Sequence, residues 1–341
     1  MLGAACVDNK RGVWNNPNQT MSNAETNEKT RLLITGGAGF LGVNLALKVK
    51  DDFHVVLLDN FVRDSLRYLS EEQRAGLEVI NGDITDAQTV EKAVDGCDLV
   101  VHMAAIAGVS NYYDKPYEVM RVNLGGTLNL LSALSNRPPR RLLFVSTSEV
   151  YGQQADNAEE DQTLAVGHYA EPRWTYAISK IAAEKACLAW GKQLGVEVVC
   201  LRPFNVFGPG QTGEGAIRDM IAAALAGQNL TVHGDGSQVR AWCFVDDFTA
   251  AAHKALTKPG LNGEVFNIGN PGNAVTVAEL AETVVRLCDS ESQIERKPHF
   301  GVDIARRTPN VEQAKEKVGF SAWVGLEEGL RRTIDWMKTH G

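Results

Sequence analysis

Tyr176 and Lys180 stand four residues apart in Tyr-Ala-Ile-Ser-Lys, inside a stretch at about 173–194 that the pattern predicts as one long helix. At that spacing both side chains share a helix face. A phenol with its ordinary pKa of about 10 is a poor base at neutral pH, and a nearby ammonium favours the phenolate. Such a pair can take the proton of an alcohol, and it calls for a hydride acceptor beside it. The segment Ile34-Thr35-Gly36-Gly37-Ala38-Gly39-Phe40-Leu41-Gly42 offers the means to hold one. Gly36 permits a tight turn, Gly39 lets backbone approach a pyrophosphate, and Gly42 lets a helix pack on the preceding strand. That helix begins at Phe40 and Leu41, where free N–H groups and a positive dipole end suit phosphates. The spacing is GxxGxxG rather than GxGxxG. Asp59 ends the next predicted strand, where a carboxylate can bind the adenosine ribose hydroxyls and repel a 2′-phosphate, so NAD is expected over NADP. The positive nicotinamide ring adds to Lys180 in favouring a Tyr176 phenolate.

A further polar run, Ser146-Thr147-Ser148-Glu149-Val150-Tyr151-Gly152, follows another predicted strand. The carboxyl ends of strands are where a doubly wound sheet places its ligands. Thr147 offers a hydroxyl to share the substrate proton with Tyr176, and Glu149 a carboxylate able to act as acid, base or substrate anchor.

Positioning these groups takes alternating elements. Apolar runs at 31–35, 54–58, 77–80, 99–102, 141–146 and 196–201 predict strands, with helices at 40–50, 117–136 and 173–194 between them. Alternation of this kind implies an α/β fold, a doubly wound parallel sheet of Rossmann type over 31–206. After Arg202-Pro203-Phe204-Asn205 the texture changes to a glycine-punctuated loop and shorter elements. Residues 207–341 are expected to form a smaller α/β substrate-binding portion, with a strand near 264–268 able to rejoin the main sheet. Residues 1–30, rich in Asn, Thr and charge, are expected to be a disordered tail.

The chain has 341 residues and a formal net charge of −8, with no basic block, so nucleic acid is not an expected partner. Six scattered cysteines lack metal-ligand spacing, which points to reduced thiols in a cytoplasmic protein, without disulfides and without a bound metal. No apolar stretch is long enough to span a bilayer, so no membrane association is expected.

Several further motifs accompany the glycine loop: Asp59-Asn60, Asp83-Ile84, His102-Met103-Ala104-Ala105, Asn123, Arg202 to Gly210, Gly234 to Arg240, and Phe266-Asn267-Ile268-Gly269-Asn270. Together they resemble the extended short-chain dehydrogenases/reductases of the NAD-dependent epimerase/dehydratase family, which act on nucleotide sugars, from about Arg31 to the C-terminus. The resemblance implies that Asp83 and Ile84 border the adenine, that Ala104 and Ala105 line the cofactor, and that Pro203 sits near the nicotinamide. It assigns Asn60 and Asn123 to the cofactor site and has Lys180 bond the nicotinamide ribose. It implies that Asn205 and Arg240 bind the substrate diphosphate and that Arg307 also faces the substrate, roles for which amide donors and guanidinium forks are suited.

Members of that family are expected to begin by oxidising sugar C4 to a ketone, with Tyr176 as base and NAD⁺ as oxidant. The next step depends on Thr147, Ser148 and Glu149. The dTDP-glucose type 4,6-dehydratases carry Asp-Glu where this chain has Ser148-Glu149, which argues against that assignment. Thr-Ser-Glu with a downstream Arg307, and Pro172-Arg173-Trp174 ahead of Tyr176, resembles the UDP-glucuronate decarboxylases. Decarboxylation is therefore the first expectation, with 4-epimerisation (of UDP-glucose or UDP-glucuronate) or 4,6-dehydration as alternatives. A non-catalytic NAD-binding sensor is disfavoured by retention of both Tyr176 and Lys180. A dehydrogenase of small alcohols is disfavoured by the C-terminal portion with Asn205 and Arg240. By analogy with the family, helices 117–136 and 173–194 are expected to pair across a two-fold axis, giving a homodimer through a four-helix bundle.

Overall fold

The computed structural model describes residues 29–299 and 301–340. The tail expected at 1–30 lies almost wholly outside the described residues. The first six strands are β1 (Arg31–Thr35), β2 (His54–Asp59), β3 (Leu77–Asn81), β4 (Leu99–His102), β5 (Arg141–Val145) and β6 (Glu197–Pro203). They join Val265–Ile268 in a seven-stranded sheet ordered Val265–Ile268, β6, β5, β4, β1, β2, β3, with every pairing parallel. The chain runs outward from β1 to β3 and then returns to β4 on the other side of β1. That reversal opens a crevice beyond the carboxyl ends of β1 and β4, the switch point at which doubly wound sheets bind ligands.

Alternate residues of each strand serve opposite faces. Leu32, Ile34, Val55, Leu57, Val101 and Leu143 pack on one side with Leu45, Ala46, Phe248 and Ala251. Leu33, Val56, Val100, Leu142 and Phe144 pack on the other with Leu130, Leu134, Ala183 and Cys187. Burial on both faces explains why these strands read as continuous apolar runs rather than alternating ones. Each large side chain so buried contributes roughly 1.5–3 kcal/mol. The helices Phe40–Val49, Gly126–Asn136 and Trp174–Leu194 supply the covering layers.

A second core gathers Phe207, Ile221, Leu230, Trp242, Phe244, Leu280 and Ile334 from beyond residue 206. Beside it lies a small sheet in which Val239–Ala241 pairs antiparallel with Ala274–Thr276 and parallel with Arg306–Arg307. That register sets Arg240 opposite Arg307. The strand near 264–268 sits at the edge of the main sheet against β6.

Candidate active site

At the end of β1 the chain turns at Gly36, whose φ is +71° and whose missing Cβ would lie 2.8 Å from Ala104 N. Only glycine meets both conditions comfortably. Val43 N closes the first helical turn on Gly39 O, so the amides before it have no partner within the helix. A Cβ at Gly39 would meet Gly36 O at 3.3 Å and no other atom within 4 Å. It would stand instead in a cavity of about 650 Å³ lined by Gly36, Gly39, Phe40, Leu41, Gly42, Asp59, Asn60, Asp83, Ile84, Ala104, Ala105, Tyr176, Lys180 and Pro203. Ser146, whose buried Oγ has no hydrogen-bond partner, lines the same cavity. A bare-backbone cradle at a helix N-terminus, an orphaned hydroxyl and a carboxylate at the end of β2 together suit a dinucleotide such as NAD.

Asp59 is braced as well as exposed to that cavity. Its Oδ2 accepts from Ala38 N at 3.0 Å and its Oδ1 from Phe61 N at 2.8 Å. Burial raises its pKa, and those two amides oppose the rise. Asn60 Nδ2 donates to Asp83 Oδ2 at 2.9 Å, while Asp83 Oδ1 takes the amide and hydroxyl of Thr85. These bonds tie the ends of β2 and β3 together.

Tyr176 is buried in the first turn of the Trp174–Leu194 helix, stacked on Tyr112 with centroids 4.9 Å apart and planes 7° from parallel. Burial pushes its phenol up to about 12, against the pull of the Thr147 hydroxyl and the Arg63 and Arg307 charges. Lys180 Nζ, one turn on, donates to Val145 O at 2.5 Å and lies 4.5 Å from the Phe144 ring centroid. Burial pulls its pKa down to about 8. Lys180 therefore points at the end of β5, while Arg63 and Arg307 pull the phenol down and the Glu149 carboxylate pushes it further up.

A smaller cavity of about 230 Å³ adjoins the first at Phe40, Leu41, Thr147, Tyr176 and Pro203, and adds Tyr112, Ser148, Glu149, Asn205, Val206 and Arg307. Thr147 Oγ1 accepts from Glu149 N at 3.2 Å, capping the short turn Ser148–Tyr151 and leaving its own proton to give. Glu149 is held from two sides, by Arg307 Nη1 at 2.7 Å and Arg173 Nη2 at 3.4 Å. Burial pushes its carboxyl up, but Arg307 and then Arg173 outweigh burial, so the group is held below the usual carboxylate range. At neutral pH it is a carboxylate, suited to base or anchor rather than proton donor. Arg307 keeps its Nε and Nη2 buried without a partner. Those two atoms form the edge of a guanidinium that grips a carboxylate side-on.

Two expected site residues lie elsewhere. Asn123 lines neither cavity. It is buried in the π-helical turn Arg121–Gly125, where its Oδ1 accepts from Ile106 N at 2.7 Å and its Nδ2 donates to Ile106 O at 3.1 Å. It pins the loop after β4 from behind. Arg240 also lines neither cavity, because its Nη1 donates to Ile304 O at 2.7 Å and its Nη2 meets Asp303 at 2.8 Å. Burial, reinforced by Arg307, pulls its pKa down to about 10. Asn205 lines the smaller cavity with a φ of 39°, a left-handed conformation that Asn tolerates, and its Nδ2 donates to Ala241 O at 2.9 Å.

Arg63, Tyr112, Ser146 and Arg173 belong to the site without having been singled out as its members. Ser146 and Arg173 stood within quoted motifs, the strand-end run Ser146 to Gly152 and Pro172-Arg173-Trp174. The others arrive by tertiary packing. Loop 103–106 is set by a directed chain of bonds: Ala104 N donates to Thr35 Oγ1, which gives its proton to His102 Nδ1 at 2.6 Å. His102 Nε2 donates in turn to Thr127 Oγ1 at 2.9 Å, and Thr127 to Asn123 O. Burial pulls His102 down to about 3, so it stays neutral.

The NAD dependent epimerase/dehydratase family matches residues 32–269. A UDP-N-acetyl-alpha-D-glucosaminuronate decarboxylase of Bacillus cytotoxicus is 37% identical over 320 residues, covering 91% of this chain and 98% of the relative. UDP-glucuronic acid decarboxylase 1 of Danio rerio is 36% identical over 316 residues, covering 91% of this chain and 73% of the relative. Among solved structures, UDP-glucuronic acid 4-epimerase from Bacillus cereus, in complex with UDP-glucuronic acid and NAD, superposes with a TM-score of 0.84 at 27% identity, covering 92% and 100% of the two chains. The chain belongs to the NAD-dependent epimerase/dehydratase family.

Proposed function

We propose that this protein is an NAD-dependent decarboxylase of a UDP-linked hexuronate, oxidising the sugar at C4 before carbon dioxide leaves. The observation that carries this reading is the arginine cluster around Glu149. Arg173, Arg240 and Arg307 face Glu149 and Asp303, leaving one positive charge unbalanced and one guanidinium edge without an acceptor. A uronate carboxylate supplies both the charge and the acceptor.

Gly36, Gly39, the first turn of the following helix, Asp59 and Lys180 would hold the cofactor. When bound, NAD⁺ supplies the hydride acceptor for C4. Tyr176 Oη takes the C4 hydroxyl proton, and Thr147 donates to the same oxygen. Arg307, through its free edge, holds the C6 carboxylate, and Asn205 supports the diphosphate. Arg240, engaged by Asp303 and Ile304 O, is given no direct part in this reading. The 4-keto uronate is a β-keto acid. Its C5–C6 bond breaks, carbon dioxide departs, and the bonding pair moves into the C4 carbonyl to give an enolate that is then protonated at C5. Tyr176, by then protonated, donates to the enolate oxygen.

The test is incubation with UDP-glucuronate, UDP-N-acetylglucosaminuronate and UDP-glucose, with products followed by mass spectrometry. Loss of carbon dioxide from a uronate supports the reading. Loss of water, or turnover of UDP-glucose alone, overturns it. The second reading is 4-epimerisation of the same uronate, favoured by the superposition on a structure holding UDP-glucuronic acid. It yields an isomer of unchanged mass.

The reading includes a division into a cofactor-binding part at 31–206 and a substrate-binding part at 207–341, with Val265–Ile268 crossing back to the sheet. It also includes a homodimer formed by helices 117–136 and 173–194, supported by exposed Tyr117, Leu128 and Ile178 on those elements. Light scattering that returns a monomer mass at micromolar concentration would remove the dimer from the reading. The buried free thiols Cys97, Cys187, Cys200 and Cys243 fit a reducing, cytoplasmic setting.

A further inference from the structure

No motif marks Arg63, four residues beyond the end of β2. Its side chain lines the dinucleotide cavity, and its Nη2 donates to Ala107 O at 2.7 Å. One guanidinium thus spans from the loop after β2 to the loop after β4, the strands on either side of β1. Among the described residues no carboxylate pairs with it directly; the nearest approach is that of Glu214, whose Oε2 crowds the same side of Gly108 as Arg63 Nη2, and both side chains line the cavity.

The segment 208–215 lies across the same place. Ser65 Oγ donates to Gly210 O at 2.8 Å, Asn44 Nδ2 to Pro209 O at 3.3 Å, and Glu214 takes the hydroxyl and amide of Ser110. Gly213, with a φ of +79°, approaches so closely that a Cβ there would lie 2.7 Å from Arg63 Nε and 2.8 Å from Cζ. Bare backbone therefore covers the guanidinium, and Gln211, Thr212 and Glu214 join the cavity wall. Arg63 and this segment thus form one wall of the cavity that includes the glycine cradle.

We propose that Arg63 is a cofactor-retaining residue, whose guanidinium attracts the anionic dinucleotide and, roofed by the 208–215 segment, keeps NAD bound from one turnover to the next. A cation there strengthens anion binding through charge-assisted hydrogen bonds. The same charge is the first cation that pulls the Tyr176 phenol down, so its removal also moves the base limb of the pH–rate profile upward.

The full chain is purified as wild type, Arg63→Gln, Arg63→Lys and Ser65→Ala, each checked for folding by thermal unfolding in saturating NAD. Bound nucleotide is extracted and quantified, and release is timed with a glycohydrolase that destroys free NAD. Arg63→Gln is expected to release NAD about tenfold faster than wild type or more, with Arg63→Lys between them. Ser65→Ala, which loosens the roof and keeps every charge, is expected to speed release as well. Release from Arg63→Gln at the wild-type rate overturns the proposal, as does a wild-type protein that gives up NAD as fast as that variant. Nucleotide release is read without any sugar, so this outcome is separate from the identity of the decarboxylated substrate.

Discussion

Replacing Tyr176 with Phe removes one oxygen and keeps the ring that stacks on Tyr112 at 4.9 Å. Fold and cofactor binding should therefore survive. The expected loss is in kcat, about 10²–10⁴-fold, the range for removal of a positioned general base. The structure adds a sharper expectation. With a phenol pushed up to about 12, only about one molecule in 10⁴ is phenolate at about pH 8. By itself the phenol is thus a poor base, because burial and the Glu149 carboxylate penalise the anion more than Thr147, Arg63 and Arg307 favour it. A positive charge brought within a few ångströms lowers such a value by about 1–3 units, raising the phenolate fraction about 10- to 1,000-fold. Ultraviolet difference titration of wild type against Tyr176→Phe isolates this phenol from the other tyrosines. It should ionise near 12 alone and about 1–3 units lower with NAD⁺ bound. Wild-type turnover by the Phe variant, or the same titration midpoint with and without NAD⁺, would refute the reasoning.

Lys180 offers a test of opposite sign. Its pKa falls from 10.5 to about 8 on burial, so the unfolded chain binds the proton more readily and stability is lost as pH falls through that window. The penalty at neutral pH is about 3 kcal/mol, offset by about 1 kcal/mol from the bond to Val145 O. Lys180→Met should therefore stabilise the ligand-free protein by about 2 kcal/mol near pH 7 and not near pH 11, while abolishing turnover; denaturant melts at both pH values check this. Arg307→Lys replaces a fork with a point charge, and calorimetry should show UDP-glucuronate binding weakened about 10- to 100-fold with UDP-glucose little changed. Glu184→Gln leaves Arg202 charged and buried without its carboxylate, which it now meets at 2.7 and 3.1 Å. Equilibrium unfolding should register a loss of about 3–5 kcal/mol.

The parallel sheet was legible because strands buried on both faces must be apolar throughout, and glycine-rich turns with acidic strand ends mark where the chain leaves them. The predicted strands differ from the observed ones by a residue or two at their ends, as at 196–201 against Glu197–Pro203. The helices expected at 40–50 and 173–194 behave likewise, whereas the one expected at 117–136 is interrupted by the π-helical turn Arg121–Gly125 between Pro116–Met120 and Gly126–Asn136. Local spacing also brought out Tyr176, Lys180 and Glu149, since i,i+4 placement and a strand-end loop are short-range features. Pairing across the sheet left no such trace. Asn123 looked like a cofactor residue because its motif travels with the glycine loop, yet the π-helical turn at Arg121–Gly125 rotates it behind Ile106.

What the chain determines on its own is the cradle, the phenol–ammonium pair and the carboxylate at Glu149, because each follows from residue type and a separation of a few positions. Tertiary structure alone decided the electrical state of those groups. It buried Tyr176 and Lys180, pushing their pKa values up and down respectively. It carried Arg173 and Arg307 from distant segments onto Glu149 and swung Arg63 across the crevice. Charge acts through space and desolvation through enclosure, and neither distance nor enclosure is a property of neighbours in sequence.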